Sequence, residues 1–448
     1  MKIARFLYEN RPYALTDAFR MCYTDVSEST ERRSAMRSAG VICEFNPFHN
    51  GHHYLLSSMR EAVGEDGCVI CLMSGRFVQR GEPAIADPYL RARMALAGGA
   101  DLVLELPFPY AAGSAEFFAS AGVGILTRMG VEHIAFGSES GDISLLAAAA
   151  EAVDSPAFRS TYTDVCNAGM GTAAAYSEAL RRVCVSTLPE GFPSSNDLLG
   201  IAYLSALRRE EACGNRAPTP YVVTRMGSGY REDTLTDGAY PSATALRAVI
   251  REAACDPIAL EAILDGTMPE NALDVFLDGI QRGDAPLDGD RLLSFYHTLY
   301  RLKTAEELAS FAEWGGGLEG HVCRHAGNTA SGEEFFKSLR TKYFTDARLR
   351  RALLFGALGV TDGDLRATPA YTTLLAANAR GCAYLKEWRK ANKDESDGFT
   401  VVTKPADAPK GRQRDLTDRA DALFTLCYPT PMSAGALMTR TPFIDTKK

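Results

Sequence analysis

GVICEFNPFHNGHHYLL, residues 40–56, is the stretch of sequence that decides the fold of this chain. It opens with a short apolar run, and Pro47, which has no backbone N–H to donate, ends that run as a strand. A helix-like segment then continues to about residue 62. The stretch therefore predicts a strand, a tight loop and a helix, with two histidines at the point where the loop meets the helix.

The two histidines of this junction are candidate ligands for phosphate. His49 and His52 are three residues apart, so both can face one ligand from the first helical turn, and Gly51 lets that ligand approach the backbone. A helix N-terminus also offers unpaired N–H groups and a partial positive charge. Charge that develops on a triphosphate during attack at its α-phosphorus would meet fixed donors here. The alternative is a loop that carries two of the chain's seven histidines by chance.

Length and composition describe a globular protein of more than one domain. The chain has 448 residues, 46% of them hydrophobic and 23% charged, and can bury two or more cores. Its net charge of −8 argues only weakly against a nucleic-acid surface, because such binding depends on local patches. Eleven irregularly spaced cysteines are typical of reduced thiols. Because no apolar run suits a membrane span and no signal peptide is evident, we expect a cytoplasmic protein with no membrane partner.

Two groups of cysteines and histidines have spacings that invite a metal-site interpretation. Cys68 and Cys71 lie in an apolar run that predicts a buried strand, on which side chains three apart point to opposite faces. His321, Cys323 and His325 have helical spacing, but nothing nearby in the sequence completes a zinc ligand set. We therefore predict that both groups are structural and that the chain has no metal site of its own.

The first half of the chain alternates apolar strands with helices. The predicted strands are 40–44, 68–73, 101–106, 132–136 and 219–226. The predicted helices are 52–63, 87–97, 115–128 and 198–211. This order predicts βαβ units in a parallel sheet that is covered on both faces, which is an α/β fold. Ligands bind such sheets in the crevice at the carboxyl ends of the strands.

The loops that follow the predicted strands carry residues that could reach a ligand in this crevice. The second loop holds the possible substrate residues Arg76, Gln79, Arg80 and Glu82. A solvated surface loop is the alternative for this set. Gly137, after the fourth strand, would let a backbone lie against an adenine or ribose, although glycine can also simply weaken a strand. Asn196 or Asp197 could be the N-cap of a helix, which is compatible with a nucleotide contact.

A second candidate phosphate site begins at Pro241, where the sequence reads PSATALR. Ser242 and Thr244 stand at the start of a predicted helix, and Arg247 follows about one turn later. Hydroxyl and N–H groups at a helix start, together with an arginine, can hold a phosphate. An ordinary helix cap with a solvated arginine is the alternative, and this motif alone leaves both open.

Beyond residue 257 the chain changes character. Helical periodicity dominates to about residue 392 with little strand signal, and only the run 399–403 resembles a short strand. A group of basic residues in this part indicates a solvated helical face or a nucleic-acid contact: Lys337, Arg340, Lys342, Arg348, Arg350 and Arg351. We predict an extension at 1–35 that is poorly ordered, an α/β domain at 36–256 and a mainly helical domain at 257–448.

These motifs resemble known families at two levels. The pattern His-x-Gly-His after the first strand resembles the nucleotidyltransferase superfamily, in which it binds the phosphates of ATP or CTP. The longer signatures resemble the tRNA(Met) cytidine acetate ligase family of bacteria. They read GVICEFNPFHNGH, MSGRFVQRGEPA, DLVLELPFPYAAGSAEFFA, FGSE, SSNDLLGIAYLSAL and TRMGSGY with PSATALR.

The resemblance implies a fold and an activity. The fold would be a Rossmann-like nucleotidyltransferase domain followed by a mainly helical domain that could contact tRNA. The enzyme would use ATP and Mg²⁺ to activate acetate as acetyl-adenylate. It would then transfer the acetyl group to N4 of the wobble cytidine of elongator tRNA(Met). The resemblance gives no oligomeric state.

Residue roles also follow from the resemblance, motif by motif. It implies that ATP is bound by Ile42, Cys43, Glu44, Phe45, Asn46, Pro47, Phe48, His49, Asn50, Gly51, His52, His53, Tyr54, Leu55, Gly137, Asn196, Arg225 and Met226. His49 and His52 would stabilise the transition state at the α-phosphate, with Mg²⁺ sharing the charge. Ser242, Thr244 and the catalytic Arg247 would hold the leaving pyrophosphate.

Two other functions are compatible with parts of the pattern. A small-molecule adenylyltransferase, or another acyl-adenylate ligase, would share the histidine motif, but a helical half of this size favours a large acceptor. A tRNA-binding protein without catalysis would not need His49, His52 and Arg247 together. The chain also departs from the family pattern, since it has Arg76 where asparagine is expected and Pro241 where alanine or isoleucine is expected.

Overall fold

The computed structural model describes residues 36–184, 188–225, 242–253, 256–393 and 398–446. The predictions made for residues 1–35, for Met226 and for Pro241 lie outside these ranges.

One mixed sheet forms the centre of the described chain, with strand order β5-β4-β1-β2-β3-β6-β7 and with β8 paired to β6. Its strands are β1 (Ser38–Cys43), β2 (Cys68–Ser74), β3 (Leu102–Leu106), β4 (His133–Ser138), β5 (Thr219–Thr224), β6 (Tyr371–Ala377), β7 (Thr400–Val402) and β8 (Phe443–Ile444). Strands β1 to β5 are mutually parallel, and β6 runs antiparallel to β3. The first half of the chain therefore folds as the predicted α/β unit.

Helices cover both faces of this sheet and form most of the C-terminal half. In the first half they are α1 (Asn50–Val63), α2 (Pro88–Ala97), α3 (Ala115–Met129), α4 (Ile143–Asp154), α5 (Pro156–Asn167), α6 (Thr172–Val183), α7 (Ser195–Ala212) and α8 (Ala243–Ala253). The later helices are α9 (Pro257–Leu264), α10 (Glu270–Gln281), α11 (Arg291–Tyr300), α12 (Ala305–Leu308), α13 (Leu318–Asn328), α14 (Gly332–Leu339), α15 (Asp346–Leu358), α16 (Asp362–Arg366), α17 (Ala379–Ala391) and α18 (Arg412–Phe424). None of the described helices is long and apolar enough to cross a membrane.

Strand β2 shows why its apolar sequence suits the middle of a covered sheet. All seven residues of CVICLMS are buried. Cys68 packs into the core on one face and Cys71 into the core on the other, because successive side chains of a strand alternate between faces. The two thiols therefore point apart, as the strand spacing predicts.

Strand β6 is the element that the sequence analysis missed. The prediction of little strand signal between residues 257 and 392 is wrong at YTTLLAA, which is a fully buried strand. A short apolar run without alternation cannot be told from a buried helical segment by periodicity alone. Because β6 pairs with β3, the sheet extends across the predicted domain boundary at residue 256. The strand predicted at 399–403 is confirmed by β7.

Candidate active site

A cleft of about 230 Å³ opens at the carboxyl ends of strands β1, β2, β4 and β5. Strand β1 pairs with β2 on one side and with β4 on the other. The chain thus leaves β1 in one direction across the sheet and later returns on its other side. In open α/β sheets such a switch point is where the loops separate and a ligand can enter.

The loop between β1 and α1 is held in place by two contacts from outside it. The Asn46 side-chain oxygen accepts a hydrogen bond from the Ile85 N–H at 2.8 Å. Arg91, which is fully buried on α2, donates from Nη1 to the Glu44 carbonyl oxygen at 2.6 Å. Between them, Phe45 adopts a φ of 46°, a left-handed conformation that bulky residues rarely take and that clusters at functional sites.

His49 and His52 form the N-terminal cap of α1. His49 Nδ1 accepts from the Gly51 N–H at 3.0 Å, and His52 Nδ1 accepts from the His49 N–H at 3.3 Å. The two rings stack with their centroids 3.7 Å apart. Since Nδ1 is an acceptor in both rings, each neutral imidazole carries its proton on Nε2. The helix start therefore presents two stacked rings, each with an N–H donor at Nε2.

Both imidazoles are neutral at physiological pH. Burial, with smaller contributions from Arg225 and Arg247, lowers the pKa of His49 to about 3. Burial together with the neighbouring His49 lowers the pKa of His52 well below its usual value. The donors at this helix start are thus uncharged hydrogen-bond donors beside two arginines, an arrangement that suits a polyanion.

Arg247 reaches this loop from α8. Its Nη1 donates to the Asn46 carbonyl oxygen at 2.9 Å, and its Nη2 donates to Thr244 Oγ1 at 3.3 Å. Ser242 Oγ accepts from the Ala245 N–H at 3.1 Å, so it caps the helix and lines the cleft at once. The predicted second phosphate motif and the histidine motif therefore meet in one cleft.

The β4–β5 side of the cleft carries the other predicted nucleotide residues. Asn196 Nδ2 donates to Glu139 Oε1 at 2.6 Å, and Arg225 Nε lies 3.9 Å from the same oxygen. A Cβ at Gly137 would stand 3.1 Å from Arg225 Cγ, so the absence of a side chain at Gly137 allows Arg225 to pack against β4. The N-cap of α7 is Ser194, and not Asn196 or Asp197 as the sequence suggested.

Apolar side chains that the sequence analysis did not select complete this side. They are Val41, Phe118, Phe136, Leu199, Tyr203 and Val223. Thr224 and, at the start of α8, Ala243 also line the cleft. A weak signal existed for two of them, since Leu199 and Tyr203 are spaced i, i+4 on the helix that begins beside Asn196. Phe118 and Phe136 look like ordinary core residues in the sequence, and only the fold brings them to the cleft.

The loop after β2 lies on the opposite side of the cleft. Gln79, Arg80 and Glu82 line it as predicted, and the loop folds back through a hydrogen bond from the Val78 N–H to the Glu82 carbonyl oxygen at 3.0 Å. Glu82 lies 3.9 Å from Arg247, so the loop after β2 is close to the first turns of α8.

Arg76 does not face the cleft, and its prediction as a substrate residue is wrong. Its side chain is 3% exposed and pairs with two buried carboxylates, Glu105 of β3 and Asp421 of α18. The Nη1–Oε1 distance to Glu105 is 2.5 Å and the Nε–Oδ1 distance to Asp421 is 2.8 Å. The sequence could not show this, because Asp421 lies 345 residues further along the chain.

The cleft gathers most of the residues assigned to ATP or pyrophosphate by resemblance: Ile42, Cys43, Glu44, Phe45, Asn46, His49, Gly51, His52, Tyr54, Leu55, Gly137, Asn196, Arg225, Ser242, Thr244 and Arg247. Four others do not line the cleft. Pro47 and Phe48 are buried residues of the loop itself. At the start of α1, Asn50 donates to the Gly266 carbonyl at 2.7 Å, and His53 Nδ1 lies 2.9 Å from the Gly98 carbonyl oxygen.

The basic residues of α14, of α15 and of the segment between them divide by their contacts. Arg348 and Arg351 turn inward, the first to the carbonyl oxygens of Glu313 and Gly315 and the second to the Glu313 carboxylate at 3.0 Å. The others are exposed at Lys337, Arg340 and Lys342 and partly exposed at Arg350. Of these, Arg340 pairs with Asp346 at 2.7 Å.

Comparison with known families accounts for almost the whole chain. The family model described as HIGH Nucleotidyl Transferase matches residues 36–436. A tRNA(Met) cytidine acetate ligase of Acetivibrio thermocellus is 34% identical over 412 residues, covering 88% of this chain and 96% of the relative. Another, of Caldicellulosiruptor saccharolyticus, is 36% identical over 363 residues, covering 80% of this chain and 86% of the relative.

Solved structures share the same architecture. The apo crystal structure of Thermotoga maritima TmcAL matches with a TM-score of 0.81 at 28% identity, covering 92% of this chain and 100% of that one. A second crystal structure of the Thermotoga maritima protein, solved with alpha-thio ATP bound, matches with a TM-score of 0.78 at 28% identity, covering 91% of this chain and 100% of that one.

Proposed function

The chain belongs to the tRNA(Met) cytidine acetate ligase family of HIGH nucleotidyl transferases, and on that premise we propose how its cleft performs the reaction. The enzyme activates acetate with ATP and acetylates N4 of the wobble cytidine of elongator tRNA(Met). The products are N4-acetylcytidine, AMP and pyrophosphate. The observation that carries this function is the meeting of His49, His52 and Arg247 at the carboxyl ends of parallel strands.

The first step is displacement at the α-phosphorus of ATP. An acetate oxygen attacks phosphorus, the bond to the bridging oxygen breaks, and pyrophosphate leaves with the electron pair. The Nε2–H groups of His49 and His52 donate to the α-phosphate oxygens, whose negative charge grows in the transition state. Because the donors are neutral and fixed by the helix cap, they need no reorganisation when that charge appears.

The leaving pyrophosphate is held by the start of α8. Ser242 and Thr244 offer hydroxyl groups there, and Arg247 offers a guanidinium that can bind phosphate oxygens in a bidentate manner. Arg247 already touches the Asn46 carbonyl, so it bridges the histidine loop to this clamp. Binding both ends of the triphosphate would hold the α-phosphorus in line for attack.

The nucleoside lies on the β4–β5 side of the cleft in this account. Phe136, Leu199 and Tyr203 provide an apolar wall, and Gly137 allows an adenine or ribose to approach the strand. Asn196 and Arg225, both held by Glu139, supply the polar contacts. This arrangement leaves the side formed by the loop after β2 for acetate and the tRNA base.

Mg²⁺ would bind together with ATP, through its phosphate oxygens. No group of three or more histidine, cysteine or acidic residues suited to a metal occurs among the described residues. Mg²⁺ prefers phosphate oxygens and water to dedicated protein cages. It would neutralise part of the triphosphate charge, and no step described above depends on a protein ligand for it.

The helical part after residue 256 is proposed to contact the tRNA. Its exposed basic residues can bind backbone phosphates, whereas a small-molecule acceptor would not need such a surface. We also infer a cytoplasmic location from the substrates, because ATP and tRNA(Met) are available together there.

One assay tests the proposed function. Purified enzyme is incubated with ATP, Mg²⁺ and elongator tRNA(Met), with and without acetate. Pyrophosphate release is measured, and the tRNA is then digested for nucleoside analysis. The proposal predicts acetate-dependent release and N4-acetylcytidine in the tRNA. Release without modified cytidine would move the acceptor to another molecule, and binding of tRNA without any release would indicate a protein that has lost catalysis.

A further inference from the structure

The side of the cleft left for acetate and the tRNA base is polar, and the proposed function gives its residues no role in acetyl transfer. Gln79, Arg80 and Glu82 line it on the loop after β2, and Glu44 lies between this loop and the histidines at the end of β1. The nucleoside residues stand on the other side of β1, and the pyrophosphate clamp reaches the same loop from α8. Once pyrophosphate has left the clamp, Glu44 and the loop after β2 border the space that is open to the acetyl group of the adenylate and to the tRNA base.

Glu44 is held in a defined position at this point. Its carboxylate Oε1 accepts a hydrogen bond from the Gln79 N–H at 2.8 Å, and its own carbonyl oxygen is bound by Arg91. Contacts on both the main chain and the side chain fix the residue from two elements. Glu44 itself lines the cleft, and its second carboxylate oxygen, Oε2, is the one not bound to the Gln79 N–H.

We propose that Glu44 is the general base of acetyl transfer, accepting at Oε2 the proton that the cytidine N4 amine loses; this rests on the function proposed above. The N4 nitrogen forms a bond to the acetyl carbonyl carbon. The bond from that carbon to the phosphate oxygen breaks, and AMP leaves with the electron pair. One proton passes from N4 to Glu44 and then to solvent, so that the carboxylate is restored.

The charges around Glu44 suit this role. Burial raises the pKa of its carboxyl, while the Gln79 N–H and Arg247 act in the opposite direction. The charged or titratable groups that interact with it are Arg247 on α8, Glu82 and Arg80 on the loop after β2, Arg91 on α2, Cys43 on β1 and Tyr203 on α7. A carboxylate with a raised pKa is a stronger base than one in water.

The test measures the transfer step alone. Synthetic acetyl-adenylate and tRNA(Met) are mixed with saturating enzyme, and single-turnover formation of N4-acetylcytidine is followed at several pH values around neutrality. The wild type is expected to slow as pH falls and Glu44 becomes protonated. Glu44→Gln is expected to be about 100-fold slower and to lose this decrease in rate at low pH, which is the acidic limb of the pH profile. Glu44→Asp is expected to recover part of the rate and the acidic limb.

Glu82→Gln is the matched control, because it removes a second carboxylate from the same side of the cleft. It should keep the decrease in rate at low pH, shifted to lower pH, because the Glu82 charge raises the pKa of Glu44. The proposal is overturned if Glu44→Gln keeps the wild-type rate and pH profile, or if it slows transfer equally at every pH with the limb intact. If the wild type itself does not transfer acetyl from acetyl-adenylate to tRNA(Met), the proposed function fails and the role of Glu44 fails with it.

Discussion

At the residue scale, the histidine pair works because its protonation state is fixed by local structure. The capping hydrogen bonds place both Nδ1 atoms as acceptors, and burial keeps both rings neutral. A charged imidazolium would lose one of these caps, since a protonated Nδ1 cannot accept. Neutral Nε2–H donors are therefore built into the helix start before any ligand arrives.

The pKa of His49 makes a prediction about pH. The folded pKa of about 3 lies below the unfolded value of about 6.5, so the unfolded chain binds a proton that the folded chain does not. Stability should therefore fall as pH drops from 6.5 toward 3, by about 2 kcal/mol at pH 5. Urea unfolding of wild type and His49→Gln checks this, because the variant should show a shallower decline. Parallel pH profiles would contradict it.

A second prediction concerns His52. His52→Ala removes one donor from the α-phosphate and should lower acetate-dependent exchange of labelled pyrophosphate into ATP by about 100- to 1,000-fold. Binding of tRNA should persist, because the helical half is untouched. His53→Ala is the control, since His53 contacts the Gly98 carbonyl outside the cleft and should cost much less. Equal losses in both variants would argue against a catalytic role for His52.

At the element scale, the cleft depends on how strands and helices approach each other. Strand β4 carries Gly137 at the cleft, and the Arg225 that follows β5 packs over it. Residues of two elements are therefore in contact at one position of the proposed nucleotide site. A side chain at Gly137 would change the site by displacing the Arg225 side chain.

Gly137→Ala tests this packing. The added Cβ would stand 3.1 Å from Arg225 Cγ, so the arginine must shift and the KM for ATP should rise with little change in stability. Gly320→Ala on α13 is the control, because its Cβ would meet no atom within 4 Å. Pyrophosphate-exchange kinetics and thermal melting measure both quantities. An unchanged KM for ATP in Gly137→Ala would show that Arg225 does not contribute to binding.

The buried ion pairs of Arg76 with Glu105 and Asp421 give a prediction for the loop after β2. Arg76→Met leaves Glu105 and Asp421 without their cation and should reduce the free energy of unfolding by about 3–5 kcal/mol. Arg340→Met breaks an exposed pair with Asp346 and should cost at most about 1 kcal/mol. Urea denaturation of both variants measures these free energies of unfolding. A similar loss in both would mean that the ion pairs of Arg76 do not stabilise the fold more than an exposed pair does.

The sequence predicted the elements of the first half well and one element of the second half poorly. Strands β1 to β5 are apolar runs that alternate with helices, and this pattern is typical of a parallel sheet covered by helices on both faces. Strand β6 lacks any such context, and it is linked to strands β1 to β5 by its pairing with β3, which lies far away in the chain. The same distance hid the Arg76–Asp421 pair. Local motifs predicted most of the residues that line the cleft, whereas long-range pairing decided what lies behind them.

At the scale of the whole molecule, the two halves of the chain are joined through one sheet. Strand β6 extends it from β3, and Asp421 of α18 binds Arg76 near the loop after β2. The part proposed to hold tRNA is therefore fixed to the part that makes the adenylate. A tRNA bound along the helical half would have a constant relation to the cleft.

Salt dependence tests this arrangement. The affinity for tRNA should fall steeply with salt concentration, because bound phosphates release counterions. Lys337→Ala and Lys342→Ala, both on exposed residues, should each reduce the slope of log affinity against log salt by about 1. Arg351→Ala should instead lower stability, since Arg351 pairs with Glu313. Filter binding over a salt series would contradict the account if the slope were near zero.

The most direct test of the central claim is a crystal structure with a non-hydrolysable acetyl-adenylate analogue. We expect the nucleoside to lie against Phe136, Gly137 and Tyr203, the phosphate surrogate to lie within hydrogen-bond distance of His49 and His52 Nε2, and the acetyl group to point toward Glu44. A ligand bound outside this cleft, or with its acetyl group on the β4–β5 side, would contradict it.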